Sequence, residues 1–122
     1  MTRMDEKEFK DRTKKFALRV IRMVESMPSD RAADVLGKQL IRSATSVAAN
    51  YRAACRAKSK ADMIHKLSIV EEEADESLLW MELLIESELI KAPRLSALMA
   101  EGNEILAMVV ASIKTLRGQK RN

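Results

Sequence analysis

Two prolines and three glycines are the only strong helix breakers in this 122-residue chain, and they constrain its fold more than any other feature. The long stretches between them are rich in Ala, Leu, Met, Glu, Lys and Arg, which have the highest helix propensities. Aromatic residues, which favour strands, make up only 3% of the sequence. The chain is therefore predicted to be all-α, and its 47% of apolar residues can supply a buried core.

Apolar residues recur at intervals of three and four residues in four segments, which is the pattern of amphipathic helices. Asp5 precedes Glu8 by three residues, and Ser59 precedes Asp62 in the same way, so both pairs resemble capping boxes. The predicted helices cover about residues 5–27, 30–57, 60–90 and 93–117, with a basic tail at 118–122, in a single domain 1–122. Short connections favour an antiparallel up-down four-helix bundle. Gly37, inside the second segment, predicts a close helix contact.

The second half of the third predicted helix is apolar on nearly all sides. Leu79, Trp80, Leu83 and Leu84 lie away from its main apolar stripe. A helix that is apolar all round is buried all round, and one four-helix chain cannot cover every side of its own helix. These four residues are therefore predicted to form an oligomer interface. The alternative is a wide core stripe with a few scattered exposed residues.

A row of cations runs along the second predicted helix, opposite its apolar stripe. The row consists of Lys38, Arg42, Arg52 and Arg56, and Lys58 and Lys60 extend it; Arg117, Lys120 and Arg121 near the C-terminus are a second basic group. Regularly spaced cations among small residues can contact a phosphate backbone, although the net charge is only +4. The alternatives are a solvated face, pairing with carboxylates on a neighbouring helix, or pairing with Glu71, Asp75 or Glu82 of a neighbouring subunit. No aromatic residue accompanies the row to stack on bases.

Residues that carry catalysis or bind metals are scarce. The chain has one cysteine, Cys55, and one histidine, His65, so the paired Glu-x-x-His motifs of a di-iron bundle cannot occur. A Cys55–His65 pair would lack a third group to orient it. Neither enzymatic activity nor a metal or cofactor is predicted. The single cysteine, and the lack of an apolar run of about 18–20 residues, predict a cytoplasmic protein that does not enter a membrane.

Two segments resemble a known family. They are Gln39 to Asn50 (QLIRSATSVAAN), which continues through YRAACRAKSKADMIHKL, and Glu73 to Leu84 (EADESLLWMELL). Similar segments occur in bacterial four-helix-bundle proteins first noticed as reading frames within intervening sequences of 23S ribosomal RNA genes. The resemblance implies a left-handed bundle that assembles into a ring, typically a homopentamer, without established enzymatic activity. A related accessory protein of diversity-generating retroelements forms a basic pentamer and binds nucleic acid.

Two hypotheses of function follow. The first is a non-enzymatic homo-oligomeric scaffold that binds RNA or DNA through the basic row. The second is a protein–protein interaction adapter without a nucleic-acid role, in which salt bridges engage that row.

Overall fold

Four helices account for nearly all of residues 5–119, the part of the chain that the computed structural model describes. They are α1 (Glu6–Glu25), α2 (Arg31–Cys55), α3 (Lys60–Glu86) and α4 (Ala92–Gly118). No strand occurs between residues 5 and 119. The predicted all-α class with four helices is confirmed, and only the end of α3 departs from the predicted bounds by more than two residues.

Side-chain caps explain where the first three helices begin. Asp5 Oδ1 accepts a hydrogen bond from the backbone N–H of Lys7 at 2.8 Å, and Asp30 Oδ1 accepts one from Ala32 at 2.9 Å. Ser59 Oγ accepts from the N–H of Asp62 at 3.0 Å. Each bond satisfies an N–H group that has no partner within its helix. The caps predicted at Asp5 and Ser59 are confirmed.

The predicted end of the third helix, near residue 90, is wrong. α3 ends at Glu86 because the chain reverses over the next residues, where Glu88 has a φ of 61°. The N–H groups of Leu89 and Ile90 both bond back to the carbonyl of Leu84, at 3.0 and 3.1 Å. This turn directs Ile90 into the core, where it is buried. Ile90 therefore continued the apolar pattern without continuing the helix.

The helices pack around one core. The backbone of each helix lies close to its neighbours in sequence, and that of α4 also lies close to α1; across residues 5–119, the backbones of α1 and α3, and those of α2 and α4, stay apart. The largest fully buried side chains come from all four helices and include Phe16, Leu40, Leu67, Met81, Leu84, Leu95 and Ile105. Because each helix buries one side in this core, each also has an outward side available for function.

Two glycines lie where helices approach closely. A Cβ atom added at Gly37 would lie 2.9 Å from Val24 Cγ1, and one at Gly102 would lie 3.1 Å from Leu78 Cδ2. Side-chain carbons in ordinary contact are farther apart than this. The close contact predicted at Gly37 is therefore confirmed, and Gly102 plays the same part between α4 and α3.

One helix corrects an expectation about apolar runs. By length and composition alone, α4 (Ala92–Gly118) could cross a membrane, whereas the sequence analysis expected no run of that kind. This is weak evidence for a membrane span, because core helices meet the same test. Leu95, Ile105 and Val109 of α4 are buried in the bundle core, which accounts for part of its apolar character.

Candidate interaction surfaces

Besides Arg31 and Arg42, five exposed cations lie on the outward side of α2, in the turn after it and at the first residue of α3. They are Lys38, Arg52, Arg56, Lys58 and Lys60. The stretch from Lys38 to Arg56 spans about 27 Å at 1.5 Å per residue. Across residues 5–119, none of the five lies within ion-pair distance of a carboxylate. Their charges are therefore free to meet an external anion. We call these five residues the basic row.

Arg42 belongs to the predicted row, but acidic residues of α3 engage it. Its Nη1 donates to Glu73 Oε2 at 3.1 Å, its Nη2 contacts Glu76, and its Nε donates to Gln39 Oε1 at 3.2 Å. The hydrogen bond to Glu73 raises the pKa of the guanidinium above its ordinary value. Arg42 is half exposed, yet two carboxylates offset its charge. It is therefore the one predicted binding residue on α2 that an ion pair holds.

A polar seam joins α2 to α3 beside this ion pair. Ser46 Oγ donates to Glu73 Oε2 at 3.1 Å, and Ser43 and Ser77 share a buried hydrogen bond of 2.8 Å. Glu73 Oε1 is buried and has no hydrogen-bond partner among the described residues. Because buried polar groups fix a register strongly, this seam sets which residues of α2 lie beside which residues of α3.

Of the second predicted basic group, only Arg117 lies among the described residues. Arg117 is exposed in the last turn of α4, and the Lys60 Nζ donates to the carbonyl of Gln119 at 3.3 Å. The end of α4 therefore lies beside the start of α3. Lys58 and Lys60 line a shallow groove there, together with Met63 and Leu116. Lys120 and Arg121, also predicted, lie outside the described residues.

The predicted oligomer surface on α3 is present in part. Leu79 is 44% exposed and Leu83 is 37% exposed, although large apolar side chains usually avoid water. Trp80 is half-buried, and its Nε1 is buried without a hydrogen-bond partner among residues 5–119. Leu84 is a correction: it is 0% exposed, because it faces the core of its own chain. It cannot contact a second copy.

Cys55 and His65 lie at the end of α2 and near the start of α3. The thiol is half-buried, and burial raises its pKa. A raised thiol pKa leaves little of the nucleophilic thiolate at neutral pH. His65 is exposed. No cluster of metal-ligating side chains occurs among the described residues.

The structure also has a second basic surface, on α1, that was not among the predicted sites. No carboxylate occurs from Arg12 to Val24 on α1, whereas Lys14, Arg19 and Arg22 are exposed there. Arg12 itself is held by Glu101 of α4 at 2.6 Å. The signal was available as a run of like charge, but only the fold shows which of these cations remain unpaired.

Comparisons with known proteins agree on one family. The family model described as 23S rRNA-intervening sequence protein matches residues 5–111. A crystal structure of a protein of unknown function from the S23 ribosomal protein family of Bacteroides thetaiotaomicron is similar, with 35% sequence identity and a TM-score of 0.84. The match covers 91% of this chain and 99% of that one. No curated protein matches the chain.

Proposed function

This chain belongs to the 23S rRNA-intervening sequence protein family, and from that premise we propose that it is a non-enzymatic, cytoplasmic homo-oligomeric scaffold that binds nucleic acid. The nucleic acid is RNA or DNA, and it lies along the basic row on α2. The assembly is a ring of left-handed bundles, with five copies as the family resemblance implies.

An antiparallel up-down order of the helices is part of this proposal. Phe9 and Tyr51 stack edge to face with ring centroids 4.6 Å apart, whereas the later Val24 of α1 lies beside the earlier Gly37 of α2. The numbers also run oppositely along α1 and α4, since Arg12 pairs with Glu101 and Arg94 bonds to Ser26. Short turns between the helices support the same order.

The single observation that carries the nucleic-acid proposal is the unpaired state of the basic row. Across residues 5–119 the five cations of the basic row form no ion pair, whereas Arg42 beside them is engaged by Glu73 and Glu76 of α3. A phosphate backbone offers a line of anions that unpaired cations on one side of the bundle can contact. Binding of this kind is salt-sensitive and tolerant of base sequence.

Contact with bases is not part of the proposal. Phe9, Phe16 and Tyr51 are buried, and Trp80 lies on α3. The basic row therefore has no aromatic side chain on which an unpaired base could stack, and stacking is what single-strand binders use. Five copies of a chain with net charge +4 would carry about +20, so weak contacts on each copy add along one polyanion.

Binding of labelled RNA and DNA across a salt series tests this proposal. We expect the logarithm of the association constant to fall linearly with the logarithm of the salt concentration. A peptide nucleic acid of the same base sequence, which lacks phosphates, is the matched control and should not bind. Undetectable binding of RNA and DNA at low salt would contradict the proposal.

Native mass spectrometry with and without RNA then reports copy number and ligand together. We expect one oligomer that gains mass when RNA is added.

The adapter hypothesis remains the second candidate because of the Arg42 ion pair and the exposed leucines of α3. These features suit a protein partner and need no phosphate. An oligomer that gains no mass with RNA, yet retains a bound protein, would favour the adapter.

A further inference from the structure

The outward side of α1 combines positive charge with one exposed apolar side chain. Lys14, Leu18 and Arg22 follow one another at intervals of four residues, so they form one line on the helix surface. All three are exposed, Leu18 by 40%. Neither Lys14 nor Arg22 forms an ion pair with any residue from 5 to 119. We call this line the α1 outer face.

The outward side of α3 has the opposite charge and a similar apolar centre. No lysine or arginine occurs from Glu71 to Glu86. Glu72, Asp75 and Glu86 are exposed there, on the same side as the exposed leucines Leu79 and Leu83, since steps of three and four residues keep to one side of a helix. We call these five residues the α3 outer face.

These two faces cannot meet within one chain. Across the described residues the backbone of α1 lies close to α2 and α4 but not to α3, so α1 and α3 occupy opposite corners of the bundle. The ion pairs within the chain involve other residues of these helices: Arg12 of α1 pairs with Glu101, and Glu73 of α3 pairs with Arg42. The α3 outer face therefore keeps exposed leucines and negative charge alone. The α1 outer face keeps an exposed leucine and two unpaired cations, beside the exposed carboxylates Asp11, which pairs with Lys15, and Glu25.

We propose that the α1 outer face of one copy docks on the α3 outer face of the next. The inference rests on the proposed homo-oligomer and names the surfaces that form it. A second copy is the occupant because each face carries the charge that the other needs, and opposite potentials orient partners at an interface. The leucines lose water in the same contact, which supplies the apolar centre typical of an interface.

This contact joins two different surfaces, so it is heterologous and repeats from head to tail. Repetition closes into a ring when the rotation between copies fits and otherwise yields a filament. α2 and α4 occupy the two corners that the contact leaves free. The basic rows of all copies would then lie on one wall of the ring, where they can act together on one polyanion.

Charge reversal of each face tests the contact. One variant is Lys14→Glu with Arg22→Glu, a second is Glu72→Lys with Glu86→Lys, and a third combines all four changes. Sedimentation and native mass spectrometry over a concentration series give the apparent Kd. We expect the apparent Kd of each of the first two variants to rise about 100-fold or more. The third variant should restore association, because its two faces are again complementary.

Lys91→Glu with Lys114→Glu, which adds the same charge outside both faces, is the control and should associate like the wild type. If a charge reversal prevents folding, Lys14→Gln with Arg22→Gln gives the same comparison more gently. Wild-type association by both charge-reversed variants, or a combined variant that stays monomeric, overturns the contact but leaves nucleic-acid binding by α2 intact. A wild-type chain that is monomeric at every concentration contradicts the scaffold as well.

Discussion

The outward sides of α2 and α3 differ although the two helices lie next to each other. α2 exposes cations separated mostly by small residues, such as Ala49 between Lys38 and Arg52, and its exposed apolar side chain Val35 lies near its start. α3 exposes Leu79 and Leu83 among carboxylates. The basic row on α2 stays hydrated until it meets a polyanion, whereas the exposed leucines of α3 are stabilised when another surface covers them.

The same comparison applies within α3, between leucines that are adjacent in sequence. Leu84 is 0% exposed and Leu83 is 37% exposed. A step of 100° around the helix is enough to move a side chain from the core to the surface. Fold stability and assembly therefore depend on different residues of the same helix, Leu84 and Leu83, and substitution of each one can test the two effects separately.

The largest effect is expected when Leu84 and Leu83 are each replaced by Ala. Leu84→Ala should lower the free energy of unfolding by about 2–5 kcal/mol, since it leaves a cavity in the core. Leu83→Ala should change it by less than about 0.5 kcal/mol, as surface substitutions do, while weakening self-association. Chemical unfolding at a fixed low concentration, where association adds least, measures the first quantity, and sedimentation measures the second. Equal losses of stability would remove the distinction between the two leucines.

Much of the fold followed from local patterns. The caps at Asp5 and Ser59 and the spacing of apolar residues located four helices, because both signals act within a few residues of the chain. The apolar pattern predicted a wrong end for α3, because Ile90 is apolar and packs in the core but reaches it through a turn. Periodicity reports which residues seek burial, and it is silent on the backbone path that buries them.

The candidate surfaces were harder to predict for a different reason. α3 is apolar on several sides, so periodicity could not decide that Leu84 is inside and Leu83 outside. The pairing of Arg42 with Glu73 depends on the register between α2 and α3, over a separation of 31 residues. The sequence indicates pairing with carboxylates of a neighbouring helix without deciding which ones, and it offers Glu71, Asp75 and Glu82 only as partners in a neighbouring subunit. Charge identifies candidates, whereas register decides which of them meet.

The second prediction concerns the basic row. Arg52→Gln with Arg56→Gln should weaken nucleic-acid binding about tenfold at low salt and reduce the salt slope by about 2, which is roughly one for each lost phosphate contact. Fluorescence anisotropy across a salt series measures both quantities. Lys91→Gln with Lys114→Gln removes the same charge away from α2 and should leave the slope unchanged. Equal effects of the two double variants would mean that net charge, rather than the α2 surface, governs binding.

The smallest effect is expected at Arg42, where the two helices meet. Because Glu73 and Glu76 already offset its charge, Arg42→Gln should change nucleic-acid affinity by less than about twofold, whereas Arg52→Gln alone should cost more. Glu73→Gln with Glu76→Gln should release Arg42 to the basic row, raising affinity about threefold and increasing the salt slope by about 0.9, the value of one additional phosphate contact.

Removal of two carboxylates also makes the whole chain more positive, so the gain in affinity needs its own control. Arg42→Gln added to Glu73→Gln with Glu76→Gln provides it, because this triple variant keeps the loss of the carboxylates but lacks the released guanidinium. If Arg42 is the cause, the triple variant returns the salt slope to its wild-type value. A gain that persists without Arg42 would come from the field of the chain, and α3 would then restrain binding at long range rather than through this ion pair.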